Sequence, residues 1–403
     1  MVPATLPPVD VDGIDFALDD QPGLHEVLAN LRRQRDYAIV PFAGTRAVLL
    51  LTQELVAAGF RDEATFPSWA AYSMTTGPVW GHTIQCMTGR EHRINRAIVS
   101  TPLRRNQVAR YLGPIIEPVI NELIDRFAHR GQADLVAEFT KRFSLLINNR
   151  MLGIPVQDEE TVYRWAQGLL HYALDPEEAK RCSEELTAYV RPIISARRRN
   201  PGDDMISRIV AATTEDGEQL DDEQVLSFVR LLYPVGADTT MLAMGNLLTA
   251  LLTHPDQLDL VRSDPDEHLD WAVWETLRWE PPVGLLPRAC PEAVTWHGIE
   301  IPALTPMVFA INAANRDPAV YPEPDTFDIT RRATPLVAFG QGPHSCVGNW
   351  LALAELVTAL RTILQRLPNL RLVGETADAV RITSQVVTTL RGPNALPVTF
   401  DPQ

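Results

Sequence analysis

At 403 residues, with 45% apolar and 22% charged side chains, the chain has the composition of an ordinary globular protein, which excludes collagen-like, coiled-coil and disordered classes. Its 36 basic and 51 acidic side chains leave a net charge of −15, the wrong sign for a nucleic-acid binder that must neutralise phosphates. Four scattered cysteines (Cys86, Cys182, Cys290 and Cys346) form no C-x-x-C pair, so neither a zinc ribbon nor a disulfide scaffold is expected and a reducing cytosol suits the chain.

The first twenty residues are rich in proline and aspartate and lack a basic stretch leading into an apolar one. No signal peptide is read there, and residues 1–22 are expected to be the irregular start of a cytoplasmic protein. A helix is predicted from Gly23 to Arg35, followed by strands at Tyr37–Phe42 and Arg46–Thr52 that Ala-Gly-Thr joins as a hairpin. The 26 residues from Ala64 to Gly89 contain no Asp, Glu, Lys or Arg but carry Phe66, Trp69, Tyr72, Met74 and Trp80. Such a segment is either a loop packed over the core or a lid over a binding site.

Helical periodicity dominates from Arg90 to Arg199, interrupted near Gly113-Pro114, Gly131, Gly153–Pro155 and Asp175-Pro176. Leu231–Leu252 then runs 22 residues with one charge, Asp238, and is long enough for a membrane span. Inserting that carboxylate costs roughly 2.5–3.5 kcal/mol, and Pro234, Asn246 and three threonines oppose insertion too. A helix buried in a large core is the expected reading. A further helix around Glu267–Trp279 stops at Pro281-Pro282, and Val283–Val308 and Arg371–Phe400 read as short strands with turns. No repeat, linker or composition break divides the chain, so the expected fold is mainly α with small β-sheets, in one large domain over 1–403.

The densest chemistry lies in Phe339-Gly340-Gln341-Gly342-Pro343-His344-Ser345-Cys346-Val347-Gly348. Three glycines and a proline make a tight loop that lets backbone approach something closely. The helical pattern that follows puts Cys346 at or just before a helix N-terminus, where a thiolate is stabilised. Three roles compete for this sulfur: nucleophile, zinc ligand, or axial ligand to haem iron. Zinc calls for more Cys or His nearby than the loop offers, whereas a porphyrin brings its own four in-plane donors.

F-G-x-G-x-H-x-C-x-G followed by Leu351-Ala352 resembles the haem-binding signature of the cytochrome P-450 superfamily. Further pieces agree with that family in order and spacing. Gly236-Ala237-Asp238-Thr239-Thr240 resembles its oxygen-binding G-x-(D/E)-T-T element, in which glycine admits a flat group and an acid–alcohol pair relays protons. Read without the family, Asp238 is a satisfied core carboxylate and Thr239 bonds back to a carbonyl one turn earlier. Pro234-Val235 departs from the small residue usual before this glycine, and a kink at Pro234 and a narrowing by Val235 are expected. Glu275 and Arg278 resemble the E-x-x-R ion pair, but Thr326 stands where many relatives complete it with an arginine. His92 and Arg96, spaced i,i+4, together with Arg288 and His344, match positions that hold haem propionates.

The resemblance implies a central helix over haem b, with Cys346 as the iron ligand and Gly236, Phe339, Gly340 and Gly348 beside the cofactor. It implies a monooxygenase in which Asp238 and Thr239 serve dioxygen activation. Lacking flavin or iron–sulfur modules, the chain is expected to take electrons from a ferredoxin-like donor and its reductase. Arg104, Arg105, Arg331 and Arg332 are candidates for a basic docking patch. The substrate is expected to be neutral and apolar, with Trp69, Tyr72, Val235, Gly284 and Leu285 as pocket candidates. A peroxide-driven peroxygenase of the same fold and a non-enzymatic haem sensor or carrier are the alternatives; no nucleic acid or membrane partner is expected.

Overall fold

The computed structural model describes residues 6–374, 382–386 and 389–403. In chain order the elements used below are α1 (Leu24–Gln34), β1 (Tyr37–Phe42), β2 (Thr45–Leu50), α2 (Gln53–Arg61), α3 (Gly89–Ser100), α4 (Lys141–Leu152), α5 (Glu159–Leu170), α6 (Pro176–Arg199), α7 (Asp222–Thr253), α8 (Pro265–Trp279), β3 (Leu285–Cys290), β4 (Thr305–Ala310) and α9 (Asn349–Arg366). The described residues fall into two compact units, one drawn from 1–71, 253–346 and 380–394, the other from 72–252, 347–379 and 395–403.

The first unit is built on a four-stranded sheet in the order β1-β2-β4-β3. β1 and β2 pair antiparallel from Tyr37↔Leu50 to Phe42↔Thr45, so the predicted hairpin forms with its turn at Ala43-Gly44. β2 pairs parallel with β4, and β4 antiparallel with β3. Alternation decides what each face meets. Ile39, Val48, Leu50, Met307 and Phe309 pack with Phe60, Phe66 and Trp296. Val40, Ala47, Leu49 and Val308 meet Leu24, Leu28 and Leu31 of α1, with Phe16 beneath them. The irregular start of the chain is thereby pinned down: Phe16 is fully buried, and its N–H donates to the Pro41 carbonyl at 2.9 Å.

The second unit is helical around α7, a 32-residue helix that runs through Pro234. It is long and apolar enough to cross a membrane, yet 78% of its most apolar window is buried in protein. A helix covered on all sides needs no polar face, which explains its composition. α5 and α6 pack as a hairpin in which Gly168 admits Cys182: a Cβ on Gly168 would lie 2.4 Å from that sulfur. Asp175 ends the connection by capping α6 at the Glu178 N–H. Gly113-Pro114 does not separate two helices; it sits in a wide helical turn, Leu112–Ile116, that runs straight into Glu117–Asp125. The strand-like texture after Arg371 gives Arg371–Leu372, Ile382–Val386, Leu390–Pro393 and Pro397–Thr399, while 375–381 and 387–388 lie outside the described residues.

The uncharged segment forms two short helices, Ser68–Tyr72 and Gly77–Trp80, rather than one loop. In the first unit Phe66 anchors its start edge-on to Trp296 and Phe309. In the second, the Trp80 indole N–H donates to the Leu169 carbonyl at 3.0 Å. Trp69 and Met74 stay exposed and Tyr72 half-buried. The segment is therefore buried at its anchors, with Trp69 and Met74 on the surface between them.

Candidate active site

The cysteine loop takes its shape from left-handed backbone at Gly340 (φ +64°) and Gly342 (φ +71°). A Cβ on Gly342 would come within 2.5 Å of the Phe60 carbonyl oxygen at the end of α2, so no side chain fits there. The Cys346 N–H closes the loop on the Phe339 carbonyl at 2.8 Å, and the Phe339 ring stands edge-on to Trp274 at 6.1 Å. Gly348 caps α9, which starts three residues after the cysteine, as the periodicity predicts. His344 Nε2 lies 3.1 Å from Glu63 Oε1. Cys346 is exposed, whereas Cys86, Cys182 and Cys290 are buried.

In the first unit Arg288 sits on β3, 8% exposed, its guanidinium 6.0 Å from the Phe309 ring centre. Gly284 admits two neighbours, since a Cβ there would meet Asn312 Nδ2 at 2.6 Å and Arg391 Cδ at 3.3 Å. Leu285, one of the pocket candidates, is fully buried in the core beneath the sheet, and Leu286, facing the other way, is the half-buried leucine of that strand. Glu275 and Arg278 are completely buried and bidentate, at 2.7 and 2.9 Å. The third arginine exists after all, five residues beyond Thr326. Arg331 Nε approaches Glu275 Oε1 at 3.4 Å, while Thr326 contributes its carbonyl to Arg278 at 2.9 Å. Arg331 thus leaves the expected docking patch for the interior network, and Arg332 pairs with Glu267.

In the second unit His92 is buried and Arg96 half-buried on α3, at the predicted i,i+4 spacing. On α7 the half-buried positions are Leu232, Val235, Gly236 and Thr239, an i, i+3, i+4, i+7 stripe on a helix otherwise covered by protein through its middle. Gly236 has a structural reason that the motif does not reveal: a Cβ would lie 2.5 Å from Asn148 Nδ2 of α4. α4 also sends the Ser144 hydroxyl to the Ala237 carbonyl at 2.6 Å, and its Asn149 accepts from the Tyr233 hydroxyl at 2.9 Å. The Thr239 hydroxyl donates to the Val235 carbonyl at 2.7 Å, one turn back. Asp238 is fully enclosed; burial pushes its carboxyl up to about 7, and the Gln167 amide, which donates to Oδ1, only partly offsets this. Gln167, Ser144 and Asn148 carry no motif and were invisible in the sequence.

These residues fit a haem. The one exposed thiol sits on a loop that glycines keep free of side chains, and among the described residues no cluster of three His, Cys, Asp or Glu exists to hold a bare metal ion. A lone thiolate suits a metal whose other donors come with the cofactor. The uncharged stripe Leu232–Thr239 suits a flat apolar neighbour.

The profile of the family Cytochrome P450 matches residues 3–371. Cytochrome P450 107B1 of Saccharopolyspora erythraea is 33% identical over 349 residues, covering 86% of this chain and 82% of the relative. The 6-deoxyerythronolide B hydroxylase of the same organism is 30% identical over 97% of this chain and 98% of its own length. The solved structure of cytochrome P450 CYP109Q5 from Chondromyces apiculatus superposes with a TM-score of 0.86 at 27% identity, covering 97% of this chain and 98% of that one. The mainly helical architecture with small sheets is accordingly the cytochrome P450 fold. With a matching profile over most of its length and relatives of this identity, the chain belongs to the cytochrome P450 family of haem-thiolate monooxygenases.

Proposed function

We propose that the protein is a cytoplasmic monooxygenase that carries haem b and inserts one atom of O2 into a C–H bond of a neutral, largely apolar small molecule. The observation that carries this reading is the exposed Cys346 on its glycine-shaped loop. When bound, the haem supplies oxygen binding and reduction. Cys346 Sγ would hold its iron, His92, Arg96, Arg288 and His344 would be the cations for its propionates, and Gly236, Phe339, Gly340 and Gly348 would border it. A relative named for hydroxylating 6-deoxyerythronolide B supports hydroxylation as the reaction type.

Asp238 would hold its proton at Oδ2, the oxygen that Gln167 leaves untouched, and Thr239, whose hydroxyl donates to the Val235 carbonyl one turn back, is the alcohol of the proposed pair. A carboxyl raised to about 7 is protonated for much of the time at neutral pH, as a proton donor must be. Asp238→Asn is expected to slow product formation about 100-fold. The sign of its effect on stability follows from linkage. The folded protein holds this proton up to about pH 7, while the unfolded chain releases it near 3.8. This group's favourable contribution is complete below the unfolded value and is lost as pH rises to about 7, a swing on the order of 4 kcal/mol. The stability of Asp238→Asn relative to wild type, from urea titrations at pH 5 and 8, should therefore rise with pH. A pH-independent difference contradicts the raised carboxyl.

Electrons are proposed to come from a ferredoxin-like protein and its reductase. Arg104, Arg105 and Arg110 are exposed, and among the described residues none of them pairs with a carboxylate. The Arg105 guanidinium lies 5.0 Å from the centre of the exposed Trp350 ring. Such a patch, on a chain of net charge −15, fits an acidic partner. Arg104→Glu with Arg105→Glu should slow reduction by such a donor about tenfold at low salt and flatten its ionic-strength dependence. Unchanged rates at every salt concentration would exclude the patch.

Trp69, Tyr72, Val235, Gly284 and Leu286 are the uncharged candidates for the substrate wall. A screen of neutral and ionic compounds by iron spin-state shift tests this, with responses confined to ionic compounds as the contrary result. Product formation with hydrogen peroxide alone that matches the complete redox system would replace the O2 reading with a peroxygenase.

A further inference from the structure

An acid that passes a proton inward must regain one from solvent, yet Asp238 is enclosed, 2% exposed. Among the described residues one side chain hydrogen-bonds to its carboxylate: Gln167 of α5 donates from Nε2 to Oδ1, and Oδ2 has no protein partner. Gln167 is itself only half-buried, because it also lines an open groove of about 540 Å3 along α5 and the start of α6, together with Glu160, Tyr163, His171 and Asp175. Gln167 thus touches the enclosed acid and also lines the open groove. Of the neighbouring titratable groups, Tyr163 senses Asp238; burial and that carboxylate push its hydroxyl up to about 12. Glu160 and Arg142 act on Tyr163 further out, and α4 presents neutral Ser144 and Asn148 to the same turn of α7. Arg164, which lines the same groove, is held by Glu178 and Glu185, so among the described residues the one side chain that hydrogen-bonds to Asp238 is a neutral amide.

We infer that Gln167 is the positioning residue of Asp238, pinning Oδ1 so that Oδ2 carries the mobile proton, and that the acid is recharged from water in the groove that Gln167 lines. The inference rests on the relay role proposed above for Asp238. The Oδ2–H bond breaks as the proton moves inward. A new Oδ2–H bond forms with a proton taken from groove water, and bulk buffer neutralises the hydroxide left behind. The amide loses no proton; it orients.

The test is an infrared pH titration of the holoenzyme, following the carboxyl C=O band that disappears in Asp238→Asn. Wild type is compared with Gln167→Met, which keeps the stem without the amide, and with Gln167→Glu. Losing a hydrogen bond to the charged form should raise the midpoint by about one pH unit in Gln167→Met. The second carboxylate of Gln167→Glu should raise it further. The pH profile of product formation should move by the same amounts. Midpoints and profiles that stay in place in both variants, while Asp238→Asn still slows product formation about 100-fold, overturn the role of Gln167 alone. A midpoint that moves while Asp238→Asn forms product normally leaves Gln167 as the positioning residue and removes the relay instead.

Discussion

Cys346→Ala is expected to abolish thiolate ligation: the reduced, carbon monoxide-bound protein should lose its thiolate-type Soret band and product formation should fall below detection. The physical ground is a contrast among four sulfurs. Burial pushes the Cys182 thiol up to about 12 and raises that of Cys290, so both are held as neutral thiols that bind a metal poorly. Cys86 is buried as well. Cys346 alone is exposed, on a loop whose left-handed glycines hold its backbone against the Phe339 carbonyl. Cys86→Ser, Cys182→Ala and Cys290→Ala are the controls and should keep the wild-type spectrum. A Cys346→Ala protein that retains the thiolate-type band, or a control that loses it, would move the ligand elsewhere.

The second large effect concerns stability. Glu275→Ala should cost about 3–5 kcal/mol, the range for removing one partner of a buried ion pair. Glu275 is completely buried and accepts from Arg278 through both oxygens, from the Asp328 N–H at 3.0 Å, and from Arg331. Its loss leaves the Arg278 guanidinium with only the carbonyls of Asn315, Pro324 and Thr326. Neutral acceptors cannot balance a buried cation. Glu275→Gln keeps one acceptor oxygen and should cost less. Arg331→Ala removes the 3.4 Å contact to Glu275 together with donors to the Pro322, Glu323 and Thr326 carbonyls, but leaves the Glu275–Arg278 pair intact and should cost least. Urea denaturation of the three variants checks the order, and a loss under about 1 kcal/mol in Glu275→Ala would show the pair to be dispensable.

Whatever depends on short-range pattern was legible in the sequence. Period-two alternation marked the hairpin from Tyr37 to Leu50, and the apolar stretch around Asp238 marked a core helix. Glycine and proline spacing marked the cysteine loop, and i,i+4 spacing put His92 and Arg96 on one helix face. Backbone sterics and helical or strand geometry act over a few residues, so these features need no knowledge of the rest of the chain. Partnerships across long stretches of sequence were decided only by the tertiary structure. Asn148 packs against Gly236 from 88 positions away, and Gln167 reaches Asp238 across 71. Arg331 completes the Glu275 network from a position that no motif specifies, and Leu285 is fully buried on one face of its strand while Leu286 is half-buried on the other. Periodicity says which face of an element is buried; which side chain meets it there depends on how the elements pack, and local sequence does not encode that.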